Sequence, residues 1–177
     1  MAYSPASQGL LLFGGFGTSP GSLGDTWLTA PNVPATFTTF GNGCSGAGGT
    51  PTLAAVGGDV PHLGQSFDMQ ITNLPTLATV VVGVVGLSTT MNNGPLGTYP
   101  LPTSLSSLGM IGCTQYVSDD ATFFMLSLSS TLNWSIAIPA DAGLVGFAFN
   151  VQGAVFDPAA NPFGVTATNG GTAQIGS

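Results

Sequence analysis

The chain has 177 residues, 44% of them hydrophobic, with 27 Gly and 13 Pro scattered along it; a chain this apolar is not intrinsically disordered, and its Gly and Pro lack the three-residue period of collagen. It contains no Lys, Arg or Glu; its seven acids are Asp25, Asp59, Asp68, Asp119, Asp120, Asp141 and Asp157, His62 is the sole basic side chain, and the formal net charge is −7. This excludes binding to a nucleic-acid backbone, which needs Lys or Arg to replace counterions, and excludes a polybasic membrane contact, so partners of both kinds are set aside.

In chain order, Gly9 to Phe16 is an apolar run ending beyond Gly14-Gly15, followed by a Gly/Ser/Pro turn and then Asp25-Thr26-Trp27-Leu28. Residues 1–30 therefore read as a strand pair, and Pro31 to Pro34 as a short linker. Strand-like runs recur at Ala35–Phe40, Thr52–Val56, Gln65–Thr72, Leu77–Leu87, Met110–Val117, Thr122–Leu128, Leu132–Ile138 and Val145–Val155, with a closing pair near Val165–Ala167 and Thr172–Ile175. Phe67, Met69 and Ile71 alternate with Asp68, Gln70 and Thr72, and Leu132, Trp134, Ile136 and Ile138 alternate with smaller or polar residues. A period of two with one apolar face predicts half-buried antiparallel strands. Asn42-Gly43, Asn93-Gly94, Asp157-Pro158 and Asn169-Gly170 mark turns, the last as the tip of a terminal hairpin. Met91 to Ser107 reads as a long loop. Leu77 to Leu87, the longest strongly apolar run, is far too short to span a membrane and reads as a buried strand. The fold expected is all-β: an antiparallel β-sandwich of about seven to nine strands over residues 35–177, preceded by the N-terminal strand pair.

Candidate chemistry is sparse. Cys44 and Cys113 form an even pair in a charge-poor, loop-rich chain, which suggests one disulfide and an oxidising compartment; two buried free thiols are the alternative. No basic n-region or apolar h-region of a signal peptide is visible at the N-terminus. A Ser-His-Asp triad would need His62 as its base, and although Ser66 is nearby, no G-x-S-x-G elbow accompanies it. Asp119-Asp120 is the sole adjacent acid pair. Neighbours on an extended chain point to opposite sides, so the pair cannot flank a glycosidic bond; it is a weak candidate for calcium with Ser118, against the simpler reading of a solvated turn. Asn133-Trp134-Ser135 is a formal glycosylation sequon, read as chance. Tyr99 is the best candidate for an exposed sugar-stacking aromatic, being in the long loop, whereas Trp134 belongs to the core by its alternation. No dinucleotide, phosphate-loop or metal-spacing motif is present, and no cofactor is expected.

Two stretches resemble known families. Met1-Ala2-Tyr3, Leu10-Leu11-Leu12-Phe13-Gly14-Gly15 and Gly24-Asp25-Thr26-Trp27 resemble a single kelch-type β-propeller repeat. From Phe40 onwards the chain resembles a C-terminal β domain of large secreted proteins of planctomycete-like bacteria. The carrying residues include Gly43-Cys44-Ser45-Gly46, Leu63-Gly64-Gln65-Ser66-Phe67, Leu108-Gly109-Met110-Ile111-Gly112-Cys113, Ile138-Pro139, and Asp157-Pro158 through Asn161-Pro162 to Asn169-Gly170. The resemblance implies an extracellular β domain, fits the cysteine pairing, and implies no catalytic activity.

The function expected is that of a secreted, non-enzymatic structural protein, extracellular or at the cell surface. The alternative is a carbohydrate-binding or adhesion module with a glycan as partner. Half a kelch blade leaves Gly9 to Phe16 without its usual partners. Leu10, Leu11, Leu12, Phe13 and Phe16 are accordingly the candidate assembly strand, adding to a sheet edge of the next subunit to give a homo-oligomer or filament.

Overall fold

The computed structural model describes residues 33–177, apart from 77, and the backbone of strands within residues 2–28. Three strands, β1 (Ala2–Ser4), β2 (Gly9–Phe16) and β3 (Ser22–Leu28), form an antiparallel sheet in the order β1-β2-β3. The N-terminal strand pair expected from the sequence is thus a three-stranded sheet, with Tyr3 opposite Leu10 and Leu12 opposite Trp27. The 31–34 linker lies partly outside the described residues.

The remaining strands are β4 (Thr36–Phe40), β5 (Thr52–Ala55), β6 (Ser66–Thr72), β7 (Thr79–Gly86), β8 (Met91–Asn92), β9 (Tyr99–Pro100), β10 (Thr103–Ser104), β11 (Thr114–Gln115), β12 (Ala121–Ser127), β13 (Leu132–Ala137), β14 (Ala148–Phe156) and β15 (Val165–Gln174). They build the antiparallel sandwich that the sequence predicts. Its large sheet has the order β12-β7-β14-β15-β4 and its small sheet β13-β6-β5. Between them lie Phe67, Met69 and Ile71 of β6, Trp134 of β13, Val81 of β7, Val151 and Val155 of β14, and Ala173 of β15, all buried. The alternation in β6 and β13 places these residues inward, and Ser66, Asp68, Asn133 and Ser135 outward.

Close approach in this core depends on small residues. The Trp134 ring crosses β7 at Gly83, where a Cβ would stand 2.7 Å from Trp134 Cζ2. The Phe37 and Phe40 rings lie over Gly171 and Gly170, where a Cβ would come within 2.5 and 2.6 Å of them. This overturns the terminal hairpin. Asn169-Gly170 is the middle of one ten-residue strand, β15, paired with β14 from Val165 to Gln174 and with β4 over Gly170–Gln174. The glycines make room for aromatic rings rather than for a turn, and Asn169 is used across the sandwich. Its Oδ1 accepts from Leu53 N (2.8 Å) and its Nδ2 donates to Leu53 O (3.0 Å), so a buried side-chain amide stands in for a neighbouring strand on β5.

Two further expectations change. Of the Met110–Val117 run, only Thr114–Gln115 is a strand; Met110 to Cys113 is a turn closed by Cys113 N donating to Met110 O. Met91–Ser107, expected to be plain loop, carries the short ladders β8-β9 and β10-β11.

Candidate functional site: an apolar groove beneath a tethered loop

The two faces of the sandwich differ sharply. The small sheet turns Asp68, Gln70, Asn133 and Ser135 outward. The large sheet turns out Val80, Phe124, Leu126 and Phe156, with Val82, Val84 and Ala154 half-buried. Phe124 is 77% exposed, Leu126 63% and Phe156 51%. The register explains this. Phe124 faces Val82 and Leu126 faces Val80 across β12-β7, and Ala154 continues the row beyond Val82 on β14. Thr79–Gly86, the strand within the Leu77–Leu87 run read as a buried strand, is therefore largely buried on its inner face and only partly covered on its outer one.

The segment between β7 and β12 folds back over part of this apolar face. Disulfide Cys44–Cys113, with a Cα separation of 4.8 Å and a sequence separation of 69, fastens it beside β15, where Cys44 N donates to Ala167 O. Buried Gln152 of β14 fastens it again: its Oε1 accepts from Tyr116 N (2.9 Å), and its Nε2 donates to Thr114 O and Thr168 O. Within the segment, Asn92 Oδ1 accepts from Asp119 N, Asn92 Nδ2 donates to Gly97 O, and Tyr99 Oη donates to Gln115 Oε1. Buried polar groups satisfied in this way hold a loop to one shape.

Between segment and sheet lies a groove of about 830 Å³. Its floor is Val82, Val84, Ala154 and Val165; its walls are Leu96, Tyr99, Leu105, Leu108 and Phe163. The size and apolar lining suit a small-molecule site. The strand register gives it a direction. One end is at Asp120, beside Leu87. The floor then passes the Thr122-Val84-Gln152 row and the Val82-Ala154 row, towards Val165 opposite Phe156.

Cys44 and Cys113 are bonded and buried. Asp119 and Asp120 line the groove, but each is committed to a different loop. Asp120 Oδ2 accepts from Ser118 Oγ (2.6 Å) and Leu87 N (2.8 Å), and these two bonds, the first foremost, hold its carboxyl below the usual range. Asp119 is 4% exposed; its Oδ2 accepts from Leu96 N, and its Oδ1 has no hydrogen-bond partner among the described residues. No group of three or more His, Cys, Asp or Glu that could hold a metal occurs among those residues. Tyr99 is half-buried, not an open platform; burial pushes its phenol up, the bond to Gln115 opposes this, and the Asp119 charge adds to the rise. His62 Nδ1 lies 3.3 Å from Ser177 O, and the backbone of His62 bridges Gly176, a structural tie. Asn133 is exposed, its Oδ1 accepting from Gln70. Leu10, Leu11, Leu12, Phe13 and Phe16 lie in β2, whose two edges are occupied by β1 and β3. No helix among the described residues is long and apolar enough to cross a membrane.

Sequence reading missed the groove, although one signal was present. In Thr122–Leu128 both alternating sets are apolar, Phe123 and Met125 on one face and Phe124 and Leu126 on the other, as in a strand apolar on both sides. No protein-family model, curated protein or solved structure matches the chain.

Proposed function

We propose that this chain is a secreted, non-enzymatic structural protein that works outside the cell or at its surface by associating with further copies of itself. The observation that carries the reading is the bare outer face of the large sheet where it meets β12. This strand ends the sheet, has no Pro or charge in Ala121–Ser127, and presents Phe124 and Leu126 outward. Soluble monomers protect such edges with Lys, Pro or a covering element, and this chain has no Lys at all. Phe124 and Phe156 together expose on the order of 250 Å² of ring surface, a large fraction of the largest patch a monomer ordinarily shows. A second copy pairing along β12 would extend the sheet and occupy this edge, joining the apolar outer faces of the two copies into one.

The buried disulfide supports an oxidising location. Asp59, Asp119, Asp120, Asp141 and Asp157 each accept from a backbone N–H, and His62 lies against Ser177 O, which supports a role without bond-making chemistry. Exchange through Gly9–Phe16 loses its motive, since β2 is already paired on both edges, and β12 takes its place as the assembly strand. A glycan-stacking role finds less support: the most exposed aromatic side chains among the described residues are phenylalanines, which lack a polar handle, and Tyr99 is turned into the groove.

The test is the oligomeric state, measured by light scattering and sedimentation on the full chain and on Phe124→Lys/Leu126→Lys. The parent should assemble with rising concentration and the variant should stay monomeric with the same circular dichroism. A parent that is monomeric throughout would sink the reading.

A further inference from the structure

The groove is built where an apolar face would otherwise be wet, and its roof is held off the floor by a disulfide and by Gln152, so it is formed in advance of any ligand. Its charge is confined to Asp119 and Asp120, of which Asp120 is exposed and Asp119 buried, with the Tyr99 ring also in the lining; Val82, Val84, Ala154, Leu108 and Phe163 supply apolar surface, and Thr122 and Gln152 are polar positions along the floor. From the level of Leu87 to that of Val82 the floor extends about 17 Å along the strand.

We infer that the groove binds an amphiphile whose apolar chain lies along β7 and β14 and whose head is an ammonium group held at the exposed Asp120 carboxylate, with the buried charge of Asp119 nearby. The charge inventory selects the head. An anionic amphiphile such as a fatty acid needs a cationic partner, and the chain has no Lys or Arg to offer one. An anion would also face two carboxylates and a net charge of −7, whereas a cation meets complementary charge in a cleft with low-dielectric walls, where such attraction is strengthened. Asp119 is buried, with one oxygen bonded to Leu96 N and the other packed beside Gly94, so it adds negative charge behind the groove wall and no direct contact. Asp120 keeps an exposed carboxylate at the mouth, held ionised by Ser118 and Leu87. The Tyr99 ring adds a surface that suits a quaternary ammonium.

The experiment titrates the full chain with dodecyltrimethylammonium, dodecyl maltoside and dodecyl sulfate, each below its micelle concentration. Binding is read by calorimetry and by backbone amide shifts. The cationic amphiphile should bind one per chain, about tenfold more tightly than the neutral one, with dodecyl sulfate weakest, and the preference should shrink with added salt. Shifts should cluster at Val82, Val84, Ala154, Leu108 and Phe163. Asp120→Asn, which keeps an acceptor for Leu87 N, should weaken the cationic ligand several-fold and leave the neutral one unchanged. Ala154→Trp should block both. If Ala154→Trp does not fold, the shift map of the parent protein decides. Equal binding of the sulfate, indifference to Asp120→Asn, or shifts confined to Phe124 and Leu126, which would mark the face between copies, would each overturn the inference.

Discussion

Asn169 carries more of the fold than its place in an Asn-Gly pair suggests. Both halves of its amide are bonded to the backbone of Leu53, which is fully buried. Asn169→Ala would leave that N–H and C=O without partners where water cannot reach, at a cost of about 2 kcal/mol; urea unfolding of the variant against the parent checks this, and an unchanged midpoint would count against it. Gly83→Ala tests packing instead of polarity. The new methyl would stand 2.7 Å from Trp134 Cζ2, and the ring has the Gly83 strand directly beneath it. Overpacking should destabilise by roughly 1–3 kcal/mol, and Trp134→Phe in the same chain should recover part of the loss. The Cys44–Cys113 bond spans 69 residues, so the Cys→Ser pair should lose about 4 kcal/mol on the chain-entropy account. Alkylation of the native, unreduced protein should label neither cysteine.

At the scale of elements, the Asp120 carboxylate ties the junction of β7 and β12, beside the bonds between Ser88 and Ser118. Asp120 takes hydrogen bonds from Ser118 and Leu87, and its pKa is lowered on folding. A depressed folded pKa means that the carboxylate favours the fold above the unfolded carboxyl range, and that this contribution disappears as pH falls through the folded value. Ser118→Ala removes the larger cause, so the Asp120 pKa should rise towards that of a free carboxyl. A carboxyl carbon NMR titration reads this directly, and an unmoved titration would contradict the assignment. β15 shows why element boundaries were misread from sequence. Its Asn169-Gly170-Gly171 stretch has the composition of a turn, but the glycines face the rings of Phe40 and Phe37 from β4, some 130 residues earlier in the chain.

For the whole molecule, charge is one-sided: acids alone, no cation but His62, and an apolar face on the large sheet. Repulsion between copies then rests on Asp ionisation, which fades as pH falls through about 4. Self-association should increase there and reverse on neutralisation, with Asp120 among the last to be protonated. Dynamic light scattering across that range provides the check, and a constant particle size would contradict the account.

By itself the sequence determined the class of fold and the outward and inward faces of β6 and β13, because alternation is a local property, and it suggested the Cys44–Cys113 bond, because two cysteines offer one partner each. It also determined the charge character, since no arrangement of this chain can supply a Lys or Arg. Tertiary structure alone decided that Asn169-Gly170 lies mid-strand, that β2 is paired on both edges, that Tyr99 is turned inward, and that a loop covers part of an apolar sheet face to leave a groove. Each of these depends on which distant segment lies alongside. A residue's own neighbours in sequence say whether it is apolar or can turn; they do not say which ring, strand or carboxylate folding will bring against it.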